Sequence, residues 1–340
     1  MSFNTYQYLL ADLSLILSRN VYACSRGRKI GEYSASDVVR MTIQTMNKLA
    51  RDYKITSDKI IFVADSWSPE YDGYYRTWLL SGNYKDNRTW MTQEKFDAIK
   101  SNPESTEAEI KKAEEELYQN NVKIEAKRIL KTECSRIGLP CLGVPGLEYD
   151  DLCYIISSLL YVSGVSKKSV IVTKDSDCMF NTSPVCDYFR IPVGGSDPEV
   201  KTYDEIYTTY VPVSLRNRGI SLYDYKGMLD SLFGGHNAMR KTTTYSKNYA
   251  DSIIEEIMSG NYSSVSDIDL FKLQYSTFNL SKFPMINEAV ETVKKGLSTI
   301  GHLGNLEEFK EFCNTNNITG ISDKYYETFI SRFDQKLFSE

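Results

Sequence analysis

Three short apolar runs in this chain each end in an aspartate. Residues 7–12 read Gln-Tyr-Leu-Leu-Ala-Asp, and the apolar stretch to residue 17 begins as a strand that ends near Asp12. Lys59 to Ala64 is followed by Asp65, and Ser169 to Thr173 by Lys174-Asp175-Ser176-Asp177. Such runs, without polar alternation, describe strands covered on both faces. Helical patterns lie between them. Ser36 is placed to cap a helix running to about Tyr53, whose Val39, Ile43, Met46, Leu49 and Ala50 recur at helical spacing. Gly138 to Val144 reads as a short strand leading into Pro145-Gly146, and a helix follows from near Glu148 to about Val162, with Gly164 as its stop. Strands and helices alternate, which predicts an α/β fold with a mainly parallel central sheet flanked by helices.

Residues 66 to 132 break this rhythm. Aromatic and basic side chains come first: Tyr74, Tyr75, Arg76, Trp78, Tyr84, Lys85 and Arg88. A polar stretch through Asn102-Pro103-Glu104 leads to a charged helix, Glu107 to Thr132, whose interleaved signs read equally well as a solvated face. Beyond about residue 215 the pattern is helical, with loops at Gly234-Gly235 and near 241–247.

Several function classes are disfavoured. No stretch approaches the ~20 apolar residues of a membrane span; the longest, Leu152 to Val162, is broken by Ser157 and Ser158. Met1 to Leu17 has no basic leading region and carries Asp12 in its apolar part, so a cleavable signal is not expected. The 7 cysteines are odd in number and show no CxxC spacing, which fits reduced thiols in a cytoplasm better than a disulfide framework or zinc ribbon. His236 and His302 are the only histidines, so chemistry needing a histidine pair is nearly excluded. The net charge of −5 does not by itself suggest a nucleic-acid partner. It is a poor guide where acidic residues gather in a metal site.

Position is the main chemical signal. Ligands bind outside the C-terminal ends of strands in an open parallel sheet, where Asp12, Asp65 and Asp175 fall. Glu148, Asp150 and Asp151 open a helix, and Asp177 follows Asp175 by two residues. If these elements share one sheet, five to seven carboxylates converge on one edge. Like charges held close lose ionisation. A hard divalent cation such as Mg²⁺ resolves the conflict through oxygen ligands. One or two such ions can activate water and stabilise an in-line phosphoryl displacement. Taken singly, each aspartate reads as a cap or turn residue. In the following segment, Arg76, Lys85 and Arg88 offer phosphate contacts, while Tyr84, Trp78 and Trp90 offer stacking surfaces for unpaired bases.

With these residues in view the chain resembles the structure-specific 5′ nucleases: flap endonucleases, the 5′-nuclease domain of bacterial DNA polymerase I, and phage 5′→3′ exonucleases. In pattern it looks most like the phage members, among them the T-even phage enzyme called RNase H, which belongs to this family rather than to true ribonuclease H folds. Four blocks carry the resemblance. Leu9-Leu10-Ala11-Asp12-Leu13-Ser14 is similar to the opening strand with its metal aspartate. Ile60 to Asp65, then Tyr75-Arg76 and Tyr84-Lys85-Asp86-Asn87-Arg88, is similar to the strand aspartate, arginine and Tyr-Lys-x-x-Arg signature. Pro145-Gly146-Leu147-Glu148-Tyr149-Asp150-Asp151 resembles the Gly-x-Glu-Ala-Asp-Asp block, and Val172-Thr173-Lys174-Asp175-Ser176-Asp177 the Thr-x-Asp-x-Asp block. The match covers about residues 7–185.

The resemblance implies that Asp12, Asp65, Glu148, Asp151, Asp175 and Asp177 bind one or two Mg²⁺ ions, with Mn²⁺ as a substitute and Asp150 nearby. It implies that Arg76, Lys85 and Arg88 hold the scissile phosphate region and that Tyr84 stacks on a base at the unpaired end. It divides the chain into a 5′-nuclease-like domain at 1–215, with a helical arch at about 75–132, and a helical DNA-binding region at 216–340. The implied partners are DNA with a 5′ flap, nick or RNA primer. A single-strand-binding protein or sliding clamp is an open candidate, and the implied location is the bacterial cytoplasm if the chain is phage-encoded. One block departs. Where the family carries Gly-Asp-x-x-Asp-Asn to complete a second metal site, this chain has Leu232-Phe233-Gly234-Gly235-His236-Asn237 without either aspartate. Asp230 lies just upstream, Arg240 and Lys241 just beyond, and the helix-hairpin-helix glycine pattern is not evident. The expected activity is a Mg²⁺-dependent 5′ nuclease of phage-type replication. The alternatives are a catalytically weakened or inactive junction- or single-strand-binding protein of the same fold, and an α/β ribonuclease of the PIN type.

Overall fold

The computed structural model describes residues 6–52, 59–66, 68, 73–76, 90–133, 141–191, 199–233, 244–279, 286–299 and 306–325. The chain begins with β1 (Tyr8–Asp12), α1 (Leu13–Ser25), α2 (Ala35–Asp52) and β2 (Ile60–Val63). Next come α3 (Gln93–Ser101), α4 (Glu107–Glu133), β3 (Cys141–Leu142), α5 (Tyr149–Val162) and β4 (Ser169–Thr173). A 3-10 turn (Ser176–Asn181) leads to β5 (Cys186–Arg190) and β6 (Glu199–Lys201). The described remainder is helical: α6 (Tyr203–Tyr210), α7 (Val213–Asn217), α8 (Leu222–Leu232), α9 (Thr244–Met258), α10 (Ile268–Phe278), α11 (Ile286–Thr299) and α12 (Leu306–Thr315).

The strands form one sheet in the order β3-β2-β1-β4-β5-β6. Every neighbouring pair is parallel except β5 with β6. Leu10 lies opposite Ile61 on one side and Ile171 on the other, so β1, β2 and β4 end together. Side chains alternate between two cores, as strand geometry requires. Leu10, Ile61, Val63 and Ile171 face a cluster shared with α5, α8, α9 and α11. Leu9, Phe62, Val170 and Val172 face a second cluster shared with α1, α2, α4 and α12. Burial of both faces is why these strands read as unbroken apolar runs.

Three elements differ from the sequence reading. The strand ends at Asp12 as expected, and the apolar residues 13–17 beyond it, for which the pattern predicted no helix, begin α1. The Asp12 carboxylate accepts a hydrogen bond from the Leu15 amide at 2.9 Å and caps the new helix, so the strand turns there. The 241–247 stretch is already helical from Thr244. The charged helix α4 is not solvated all round: Ala113, Val122, Ala126, Ile129 and Leu130 are buried. That narrow stripe packs on α1 and α2, and the interleaved charges around it masked it in the sequence. The six described cysteines are all free thiols. Among the described residues, no helix is long and apolar enough to cross a membrane.

Candidate active site

Because β2, β1 and β4 are adjacent and parallel, their C-terminal ends deliver Asp65, Asp12 and Asp175 to one edge of the sheet. Asp12 is fixed from two sides: Leu15 N donates to Oδ1 and Thr173 Oγ1 donates to Oδ2, each at 2.9 Å. Asp65 accepts from the backbone N of Tyr149, the first residue of α5, at 2.6 Å, and from Ser14 Oγ at 3.3 Å. A strand-end carboxylate thus docks the start of another helix, where the helix dipole favours negative charge. Asp175 is exposed and caps the 3-10 turn, accepting from Asp177 N at 3.0 Å. Asp177 is half-buried beside it.

These three aspartates feel one another. Burial pushes the Asp12 carboxyl up to about 6, and the charges of Asp65 and Asp175 push the same way against the hydrogen bonds from Leu15 and Thr173. Among the described residues, none of Asp12, Asp65 and Asp175 has an ion-pair partner.

The start of α5 is arranged differently. Glu148, Asp150 and Asp151 place carboxylate oxygens within 4.8 Å of one another, the one such acidic group among the described residues. Arg76 reaches all three. Its Nη1 donates to Glu148 Oε2 and to Asp150 Oδ2 at 3.0 Å each, and its Nη2 donates to Asp151 Oδ1. Arg76, Glu148 and Asp151 are buried, and Asp150 is partly open. Behind them lies a second buried pair on α8, Lys226 Nζ to Asp230 Oδ2 at 3.0 Å. Lys226 is within electrostatic reach of both Arg76 and Asp150.

Sequence reasoning missed two groups. Helix α4 turns Lys123, Lys127 and Lys131 toward the acidic edge. Burial lowers the pKa of all three, while Asp65 opposes that shift in each and Asp12 does so for Lys123 and Lys127. Lys131 also donates to Ser66 Oγ at 2.5 Å. Their spacing of four residues was the available signal, since such lysines share a helix face. Lys226 carried no such signal, because it sits far along the chain from the carboxylates it approaches. Trp90 is largely exposed, with Lys123 Nζ 5.1 Å from its ring centroid. Tyr84, Lys85 and Arg88, with Trp78, lie outside the described residues, as do Gly234 to Asn237, Arg240 and Lys241.

No protein-family model matches this chain, and no curated protein matches it. Solved structures do. The phage T5 flap endonuclease, in a pseudo-enzyme–product complex with DNA and metal ions, is similar over 91% of this chain and 97% of its own, at 15% identity and a TM-score of 0.47. The T5 5′-exonuclease with zinc bound is similar over 91% of this chain and 98% of its own, at 16% identity and a TM-score of 0.45. The catalytic core of Rad2 in complex with DNA substrate is similar over 96% of this chain and 92% of its own, at 12% identity and a TM-score of 0.43. Likeness at this level concerns architecture. What the site can do follows from its own side chains.

The donors at the Asp12 end suit a hard cation. They are carboxylate oxygens, the charges of Asp65 and Asp175 push against Asp12, and among the described residues protein cations reach them only at a distance. Mg²⁺ and Mn²⁺ take such ligands. The Glu148 end does not offer the same vacancy of charge, because one guanidinium already joins its three carboxylates.

Proposed function

We propose that the chain is a divalent-metal-dependent 5′ nuclease acting on DNA with a 5′ flap, nick or RNA primer, in phage-type DNA replication. One observation carries this reading. Three carboxylates without ion-pair partners among the described residues stand at the C-terminal edge of a parallel sheet, within electrostatic reach of the lysines of α4. Asp12, Asp65 and Asp175 would hold Mg²⁺ or Mn²⁺. When bound, the ion supplies Lewis acidity for in-line hydrolysis of a phosphodiester.

The chain's own groups prepare that chemistry. Thr173 and the Leu15 amide fix the Asp12 carboxylate in one orientation, and the Tyr149 amide fixes Asp65. Preorganised ligands of this kind need no rearrangement during the reaction. Lys123 and Lys127 set positive charge beside the acidic edge and would draw the phosphate backbone toward it. Lys85 and Arg88 extend that attraction to the scissile phosphate, and Tyr84 would stack on the unpaired base. The test is cleavage of a 5′-labelled flap duplex with Mg²⁺ by the wild type and by Asp175→Asn. Cleavage that disappears in the variant is expected. An intact flap and an intact RNA–DNA hybrid after incubation of the wild type with Mg²⁺ or Mn²⁺ would sink the reading.

A second reading, a junction-binding protein of the same fold without hydrolysis, is favoured by the Arg76 contacts at Glu148, Asp150 and Asp151. Flap binding that persists with no cleavage would select it.

A further inference from the structure

We propose that Arg76 is a built-in cation standing where a second metal ion would otherwise be needed. The protein then binds one divalent ion, at Asp12, Asp65 and Asp175, and none at Glu148, Asp150 and Asp151. The inference rests on the metal-dependent reading above and deepens it.

The charge arrangement is its first support. Asp12, Asp65 and Asp175 stand on one half of the edge and Glu148, Asp150 and Asp151 on the other, and among the described residues only the second set has a protein cation bonded to it. The Arg76 guanidinium gives three charge-assisted hydrogen bonds, one to each of Glu148, Asp150 and Asp151. An arginine does not lose its proton in a protein, so this positive charge is permanent. A divalent ion among the same oxygens would displace those bonds and press its charge against the guanidinium. Lys226 adds a further positive charge close by, itself balanced by Asp230.

The backbone is the second, independent support, because it builds Arg76 into this position. Tyr75 N donates to Gly146 O at 2.9 Å, and Gly146 N donates to Ser66 O at 2.8 Å. Ser66 N in turn donates to Leu147 O at 3.1 Å. The segment carrying Arg76 is therefore tied to the turn that delivers Glu148. Gly146 adopts a φ of +85°, and a Cβ there would meet the Tyr75 ring at 3.1 Å, so the turn and the Tyr75-Arg76 segment are fitted to each other. Ser68 and Gly73 exchange backbone hydrogen bonds at 2.8 and 3.1 Å, which ties the backbone just before Tyr75 and Arg76 as well. The guanidinium is delivered by the same scaffold as its carboxylates.

The experiment counts Mn²⁺ ions bound to the full chain, by electron paramagnetic resonance of free Mn²⁺ during titration. The wild type is expected to bind one ion. Asp175→Asn is expected to lose it, and Asp150→Asn, at the partly open member of the other half, to keep it. Arg76→Gln, which vacates the cation position, is expected to bind two, whereas Arg76→Lys keeps one. A wild type that binds two ions overturns the proposal, as does a loss of the ion in Asp150→Asn or a folded Arg76→Gln that still binds one. Should Arg76→Gln fail to fold, the wild-type and Asp150→Asn counts decide. A wild type that cleaves flaps but binds two ions defeats this inference alone. A wild type that binds no Mn²⁺ defeats the metal-dependent reading with it.

Discussion

The two halves of the acidic edge hold similar groups under opposite charge balance. Glu148, Asp150 and Asp151 are gathered around one buried guanidinium. Among the described residues, Asp12, Asp65 and Asp175 are held by hydrogen bonds from neutral donors alone, and the Asp12 carboxyl is pushed up to about 6 by burial first and by its neighbours second. The first half carries its own counter-charge, and in the function proposed above the second takes one from a ligand. Carboxylates that a protein pairs with its own cation are satisfied without help. Carboxylates it leaves to repel one another store a cost that a cation can relieve.

The sharpest way to break this comparison is to remove the cation from the satisfied half. Arg76→Ala leaves three carboxylates around a vacated, largely buried position. Loss of one partner from a buried ion cluster costs about 3–5 kcal/mol. Urea denaturation of the metal-free protein should show a loss of that size, and a loss below about 1 kcal/mol would mean that Arg76 is not what balances the cluster. The next largest effect belongs to the other half. Asp175→Asn, at an exposed position, should leave stability within about 0.5 kcal/mol of wild type. Flap cleavage should nonetheless fall about a hundredfold or more, as expected when a charge-bearing ligand is lost.

A pH series sharpens the contrast. Asp12 holds its proton in the folded chain up to about 6, against an ordinary value of 3.8. The folded state binds more protons between those values, so this contribution is fully present below about 3.8 and is lost as pH rises through about 6. A two-unit shift corresponds to roughly 2–3 kcal/mol. Metal-free wild type should therefore lose stability relative to Asp12→Asn between pH 4 and pH 7 in thermal melts. Parallel pH profiles for the two proteins would remove Asp12 as the strained member. The smallest effect is expected from Lys123→Gln and Lys127→Gln. Each should weaken flap binding a few-fold and reduce the slope of log affinity against log salt by about 1. Unchanged slopes would place these lysines outside the nucleic-acid path.

Much of the fold was legible in the chain. The strands ending at Asp12, Val63 and Thr173, the helix after Glu148 and the parallel order all appear where apolar runs and caps place them. Strands buried on both faces leave a signal that needs no knowledge of their neighbours. Helix α1 was hidden because Asp12 both ends a strand and caps a helix inside one apolar run. The buried stripe of α4 was hidden because few apolar residues suffice to seat a long helix between two others.

The sequence by itself determined which groups could reach the edge of the sheet. An aspartate just past a buried strand stands at that edge whatever else the chain does. Only the tertiary structure decided how those charges are balanced. Arg76 meets Glu148, Asp150 and Asp151 across 72 to 75 residues of chain, and Asp12 meets Thr173 across 161. Whether a carboxylate meets a guanidinium or a hydroxyl depends on distances of a few ångströms between crossover elements. Hydrophobic packing of those elements sets these distances, and no local pattern in the chain encodes them.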